Sequence, residues 1–214
     1  MNLKRRLPQY LIGLLLMAFG IVLVKKAEIG ISPVSAIPAA LSNLTPFTLG
    51  NMTIAFHVLC VLVQILLMRQ VTLKTLLILP LAVAFGYLID LYMLLLHFAE
   101  MPIWLAAVLC FAGIIFTALG LDVIVGADLM LPAPDALVHT VSEKYHKPLS
   151  TVKIFGDVTW VAITAIIELL ATGTIISVGI GTLASMLLTG KFAGIFKRLL
   201  PLLEMEPAGM RRGR

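Results

Sequence analysis

The chain has 214 residues, a net charge of +5, a hydrophobic share of 60% and a charged share of only 13%. Soluble domains carry nearer a quarter of charged residues, so a soluble globular domain is excluded. No basic patch is interleaved with aromatics, which excludes a nucleic-acid binder; the positive excess bears first on membrane orientation.

The N-terminus opens with Lys4-Arg5-Arg6 and an apolar run at 9–25. Lys25-Lys26 follows, with no small-x-small cleavage site, so the run reads as a retained first helix rather than a secretory signal. Further apolar runs cover 49–69, 74–97, 102–125, 150–171 and 174–196. About 20 apolar residues span the hydrocarbon core, and helices satisfy their own backbone there. The expectation is an all-α membrane protein with six transmembrane helices. The tail, 201–214, with Pro207, Gly209, Gly213 and three arginines, reads as a flexible basic extension.

Lysine and arginine set the orientation. With the N-terminus inside, the inner segments hold Lys4, Arg5, Arg6, Arg69, Lys74, Lys144, Lys147, Lys197 and Arg198, whereas the outer ones hold only Lys25 and Lys26. A multi-pass protein of the cell membrane follows, with both termini cytoplasmic.

A gapless shift of 100 residues aligns the halves. Gly13 falls on Gly113, Ala18 on Ala118, Gly20 on Gly120, Ala27 on Ala127, Ala36 on Ala136, Ser42 on Ser142, Leu49 on Leu149, Ile54 on Ile154 and Val58 on Val158. That is nine identities in 46 positions, and Glu28 falls on Asp128. Each half, 1–100 and 101–200, then holds three spans. An odd number makes the halves inverted repeats about an axis in the membrane plane, an architecture of secondary transporters.

Between the first and second spans of each half lies a stretch too short to cross, 33–43 and 133–144. Both open with proline, which suits a first helical turn. Ser32 or Ser35 suits the start of the first, and Asp135 meets the positive end of the second. Each is expected to be a short helix of about three turns. Two arrangements remain open: a half-helix aimed at the midplane, which makes a polar site, or a helix lying flat at the interface.

These segments resemble those of the YczE/YitT-like bacterial membrane proteins. Gly30-Ile31-Ser32-Pro33-Val34-Ser35 is similar to the first family motif, and Leu131-Pro132-Ala133-Pro134-Asp135 to the second. "TLGN" at 48–51, "GYLIDLYMLL" at 86–95 and "VGIGTLASMLLTGKFAGIF" at 178–196 extend the resemblance to about residues 8–200. It implies an integral membrane protein and transport. The chain departs at Ser35, where many relatives carry Asp, and lacks the glycine usual before the second proline and acid.

Polar residues inside spans are costly and mark function or packing. Ser150, Lys153, Asp157, Thr164 and Glu168 share one face of the fifth span; Thr53, His57 and Gln64 share one face of the second. Facing stripes would line a chamber between the repeats. Lys153 and Asp157, four apart, can also pair with each other. Asp90 has no basic residue within a turn and is a candidate proton carrier. Gly13, Gly20, Gly113 and Gly120 suit close helix packing.

No Walker loop, dinucleotide fingerprint, zinc-spaced histidines or nucleophile elbow occurs, so no enzyme, cofactor or metal is expected. Cys60 and Cys110 lie in apolar runs and read as small hydrophobes. The sequence supports a small secondary transporter or facilitator for a small polar solute, with a coupled proton as an option. Its candidate solute contacts are Ser35, Asn51, His57, Gln64, Asp90, Asp135, Asp157, Thr164 and Glu168. The alternative is a non-transporting membrane partner, or the substrate-binding subunit of a biosynthetic or energised complex. A homodimer is one option for assembly.

Overall fold

The computed structural model describes residues 3–98 and 101–199. Among them are eight helices and no strand: α1 Leu3–Lys26, α2 Pro33–Leu44, α3 Leu49–Met68, α4 Leu73–Leu95, α5 Ile103–Ala127, α6 Ala133–Tyr145, α7 Leu149–Thr172 and α8 Ile180–Leu199. The expected tail, 201–214, lies outside the described residues. Five helices (α1, α3, α4, α5 and α7) are long and apolar enough to cross a membrane. They fit a multi-pass membrane protein.

α8 has 20 residues but carries Lys191, Lys197 and Arg198. It also starts six residues later than the sequence suggested. Gly173, at φ 73°, ends α7 in the left-handed region. The apolar residues after it form a loop instead of a helix. Ile31 N donates to Ser177 O at 3.1 Å, and Gly181 N donates to Ile29 O at 2.8 Å, so this loop is stitched to the α1–α2 connection.

The order long, short, long, long occurs twice. Proline stands in the first turn of both short helices. Thr48 caps α3, its side chain accepting from Asn51 N, and Thr72 caps α4 in the same way through Thr75 N. Glu28 and Asp128, matched by the 100-residue shift, both turn through positive φ after α1 and α5.

α1 and α5 form the central pair and run antiparallel. A methyl group built on Gly20 would lie 2.6 Å from the Gly113 carbonyl oxygen; one built on Gly113 would lie 2.7 Å from that of Gly20. Gly13 and Gly120 repeat this at 2.9 and 2.7 Å. Only glycine lets backbones approach this closely. Around the crossing, Tyr10, Leu14, Val22, Ile114 and Ile124 are buried, while Phe19 meets Tyr92 and Phe116 edge-on. Leu59, Leu66, Val108, Phe155 and Leu170 stay exposed, as a hydrocarbon solvent allows.

α4 packs on α1 as α8 packs on α5, and α2 packs on α7 as α6 packs on α3. α7 is one turn longer than α3. Their starts, after Thr48 and Pro148, match by 100 residues, while their ends, Arg69 and Gly173, match by 104.

Candidate functional site

The short helices begin deep in the molecule and end near its surface. The side chain of Ser35, in the first turn of α2, lines the same small cavity as Met17 and Ile21 of α1. Near the other end of α2, Asn43 Oδ1 accepts from Lys25 Nζ at 2.9 Å. The chain therefore leaves α1, doubles back alongside it, and returns as α2. α6 does the same beside α3. Asp135 lines the cavity with His57, Gln64 Nε2 donates to Thr140 Oγ1 at 2.8 Å, and Lys144 donates to the Leu67 carbonyl. At 1.5 Å per residue each short helix is about 18–20 Å long, roughly two thirds of a ~30 Å hydrocarbon core.

Where their first turns meet, Ser35, Thr53, His57 and Asp135 line a cavity of about 10 Å³, walled by Phe56, Phe85 and prolines. That is room for about one water. His57 is 5% exposed and stacks on Phe85, ring centroids 5.8 Å apart. Among the described residues its ring makes no hydrogen bond.

Asp135 extends the cluster onto α7. Lys153 Nζ donates to Asp135 Oδ1 at 3.1 Å and sits 3.3 Å from Asp157 Oδ1. The second contact is ionic only, since no donor is aligned with that enclosed oxygen. Two carboxylates on different helices thus converge on one ammonium, beside a buried imidazole and two helix N-termini. Such an arrangement can hold a charged or zwitterionic group and can pass a proton. Among the described residues no three His, Cys, Asp or Glu side chains stand close enough to hold a metal ion.

Two larger openings lie at opposite ends of the α1–α5 pair. The first, about 330 Å³, is lined by Lys25, Glu28, Gly30, Ile31, Asn43, Ile176 and Ser177. The second, about 590 Å³, includes Val125, Asp128, Met130, Leu131 and Glu143. These five are the residues that the 100-residue shift gives for Lys25, Glu28, Gly30, Ile31 and Asn43. Thr72 answers Ile176 by the shift of 104.

The structure gathers Ser35, His57, Asp135 and Asp157 of the expected site. Gln64 lies in the second opening, with its enclosed Oε1 lacking a hydrogen-bond partner. Glu168, 1% exposed, is held at the first end, where its carboxylate accepts from Ile176 N at 2.8 Å and Ser177 N at 3.0 Å. Thr164 is buried and donates to the Trp160 carbonyl. Asn51 is exposed on the first turn of α3. Asp90 stands at the start of α3, accepting from Thr48 Oγ1 at 2.6 Å and Gly50 N at 2.7 Å.

Lys153 is the central residue absent from the expected solute contacts. Its spacing to Asp157 was visible, whereas its second partner, Asp135, lies across a turn on another helix. Asn43 and Ser177, hydrogen-bonded at 3.2 Å at the first opening, left no comparable signal.

The chain belongs to the DUF6198 family, a family of unknown function, whose model matches residues 4–198. No curated protein and no solved structure matches it.

Proposed function

We propose that this DUF6198 chain is a small secondary transporter or facilitator, moving a small polar solute past the His57–Asp135–Lys153–Asp157 cluster by alternating access. In this reading α8 is the sixth span, and the halves are inverted about an axis in the membrane plane. Both termini face the cytoplasm. The likeness to YczE/YitT-like proteins, carried by the proline-opened short helices, belongs to the same proposal.

The carrying observation is the pair of openings at opposite ends, lined by equivalent residues, with a one-water cavity between them. A carrier needs such a route from each side and a closed centre. The crossing of α1 and α5 supports inversion: the Gly13–Gly120 contact becomes Gly113–Gly20 when the halves exchange. The short helices, starting deep and returning outward, support half-helices aimed at mid-membrane over helices lying flat. Backbone hydrogen bonds tie the α7–α8 loop to the α1–α2 connection at the first end, and the second opening is larger. By the charge count that larger opening faces the cytoplasm.

The test is uptake by purified protein in liposomes, screened with labelled amines, amino acids and sugars. Saturable uptake is expected, falling at least about tenfold in Asp157→Asn, as loss of one partner of a buried charge pair predicts. Wild-type uptake in both Asp157→Asn and His57→Ala would remove the site. Absence of any flux, with a protein co-purifying in equal amount, would favour the partner role instead.

A further inference from the structure

We infer that the central cluster takes a small organic cation with a primary ammonium head, and that the Lys153 ammonium holds its place in this structure. The inference names the solute class for the proposed transport site, so its route rests on that reading, while its chemistry rests on the cluster alone.

Two carboxylates from different helices already grip one ammonium, Lys153 Nζ, at 3.1 and 3.3 Å. Lys153 is therefore a tethered example of the ligand that this geometry accepts. It is not a perfect occupant, because Asp157 Oδ1 has no aligned hydrogen-bond donor. The lysine side chain also keeps 35% of its surface exposed, against 14% for Asp135 and 13% for Asp157. The carboxylates are enclosed and the ammonium can withdraw.

Charge points the same way. Two carboxylates and one ammonium leave one negative charge, and an uncompensated charge away from water is costly. The N-terminus of α6 offsets part of the charge on Asp135, in its first turn. Asp157, in the third turn of α7, has no such help. A monocation that takes the lysine's place leaves the set at one negative charge, whereas a neutral solute there leaves two and an anion three.

The walls suit a cation too. Phe56 and Phe85 line the cavity, and aromatic faces attract ammonium groups. His57 is buried, faces the same cavity and has no hydrogen bond from its ring among the described residues. A neutral imidazole there offers an acceptor nitrogen to an N–H donor. The cavity holds about one water and Lys153 is not among the residues that line it, so an amine larger than ammonia needs the lysine's place between Asp135 and Asp157 as well.

The experiment measures binding of ethylammonium to the full-length protein in nanodiscs, by calorimetry and thermal shift, with propionate and 1-propanol as controls. Only ethylammonium is expected to bind. Removing the tethered competitor in Lys153→Met should tighten it at least ~5-fold, and Asp157→Asn should weaken it at least ~10-fold. Lys153→Arg, which keeps both ion pairs and the fold, should not gain affinity. Preference for propionate, loss of binding in Lys153→Met with a normal thermal transition, or proton release with no ethylammonium heat would each overturn the proposal. Ethylammonium binding without flux in liposomes would keep the cation site and remove the transport reading. Sugar or acid flux without ethylammonium binding would do the reverse.

Discussion

The α3–α4 hairpin and the α7–α8 pair are equivalent by position but packed differently. In the first, a four-residue loop joins the helices and glycines bring them together: a methyl group on Gly86 would lie 2.7 Å from the Gly50 carbonyl oxygen. Asp90 ties α4 to the first turn of α3 through Thr48 and Gly50. In the second, the shift of 104 puts Gly190 at the place of Gly86, and nothing lies within 4 Å of a methyl group there. Ser150, exposed, stands in place of Gly50. Among the described residues α7 and α8 do not pack along their lengths. The halves share a crossing at α1 and α5 yet close their hairpins unequally. Under the transport reading, the tight α3–α4 hairpin is the fixed side of the cycle and the loosely packed α7–α8 pair the side free to move.

The largest expected effect breaks or keeps that contrast directly. Gly50→Ala forces a methyl group between the Gly86 carbonyl and the Asp90 carboxylate. Backbone cannot yield as a side chain can, so a loss of about 3 kcal/mol is expected. Gly190→Ala meets nothing, and should gain about 0.5 kcal/mol from helix propensity alone. Denaturant unfolding of the two variants in detergent measures both. Equal destabilisation would mean that α7 and α8 pack like α3 and α4, and the contrast would fall.

Part of the fold was legible because its signals are local. Proline at 33, 132 and 134 and glycines spaced by seven act within a few residues, so the short helices and the close packing of the glycine-bearing spans could be read from the chain, whereas the αL turns at Glu28 and Asp128 and the pairing of α1 with α5 could not. The start of α8 was missed for the converse reason. Ile175, Ile176 and Val178 raise the hydropathy of 174–179, but hydropathy does not register the αL turn at Gly173 or the pairing of this loop with Ile29 and Ile31. The cluster was half legible. Helical spacing placed Lys153 beside Asp157, whereas the approach of Asp135 and His57 depends on how far α6 dips, which is tertiary. Asp90 looked solitary because its partners, Thr48 and Gly50, lie about forty residues earlier.

A second contrast separates the two ends. Glu168 and Gln64 each stand five residues before an αL cap, Gly173 and Arg69. The carboxylate holds two backbone N–H groups of the α7–α8 loop. The amide donates one hydrogen bond and leaves its oxygen unpartnered. Glu168→Gln should cost about 2 kcal/mol, the range for hydrogen bonds to a charged group. It should also speed amide exchange at Ile176 and Ser177. Gln64→Leu should cost under about 1 kcal/mol, because Thr140 keeps its bond to the Ala136 carbonyl and an unsatisfied oxygen is removed with the amide. Similar costs at both positions would make the two ends equally fastened.

A modest effect is expected at Asp90, which the sequence offered as a proton carrier. Its two oxygens are engaged by the Thr48 hydroxyl and the Gly50 N–H, and it does not line the cavity that holds His57 and Asp135. A carboxylate so placed fastens the shut hairpin by capping α3. Asp90→Asn keeps the shape and one acceptor oxygen, so a loss of about 1 kcal/mol is expected. Solute uptake and its pH dependence should stay as in the wild type, since neither carboxylate of the central cluster is touched. The same substitution abolishing uptake at unchanged stability would return Asp90 to the transport route. The α3–α4 hairpin would then have to open during the cycle, not serve as its fixed side.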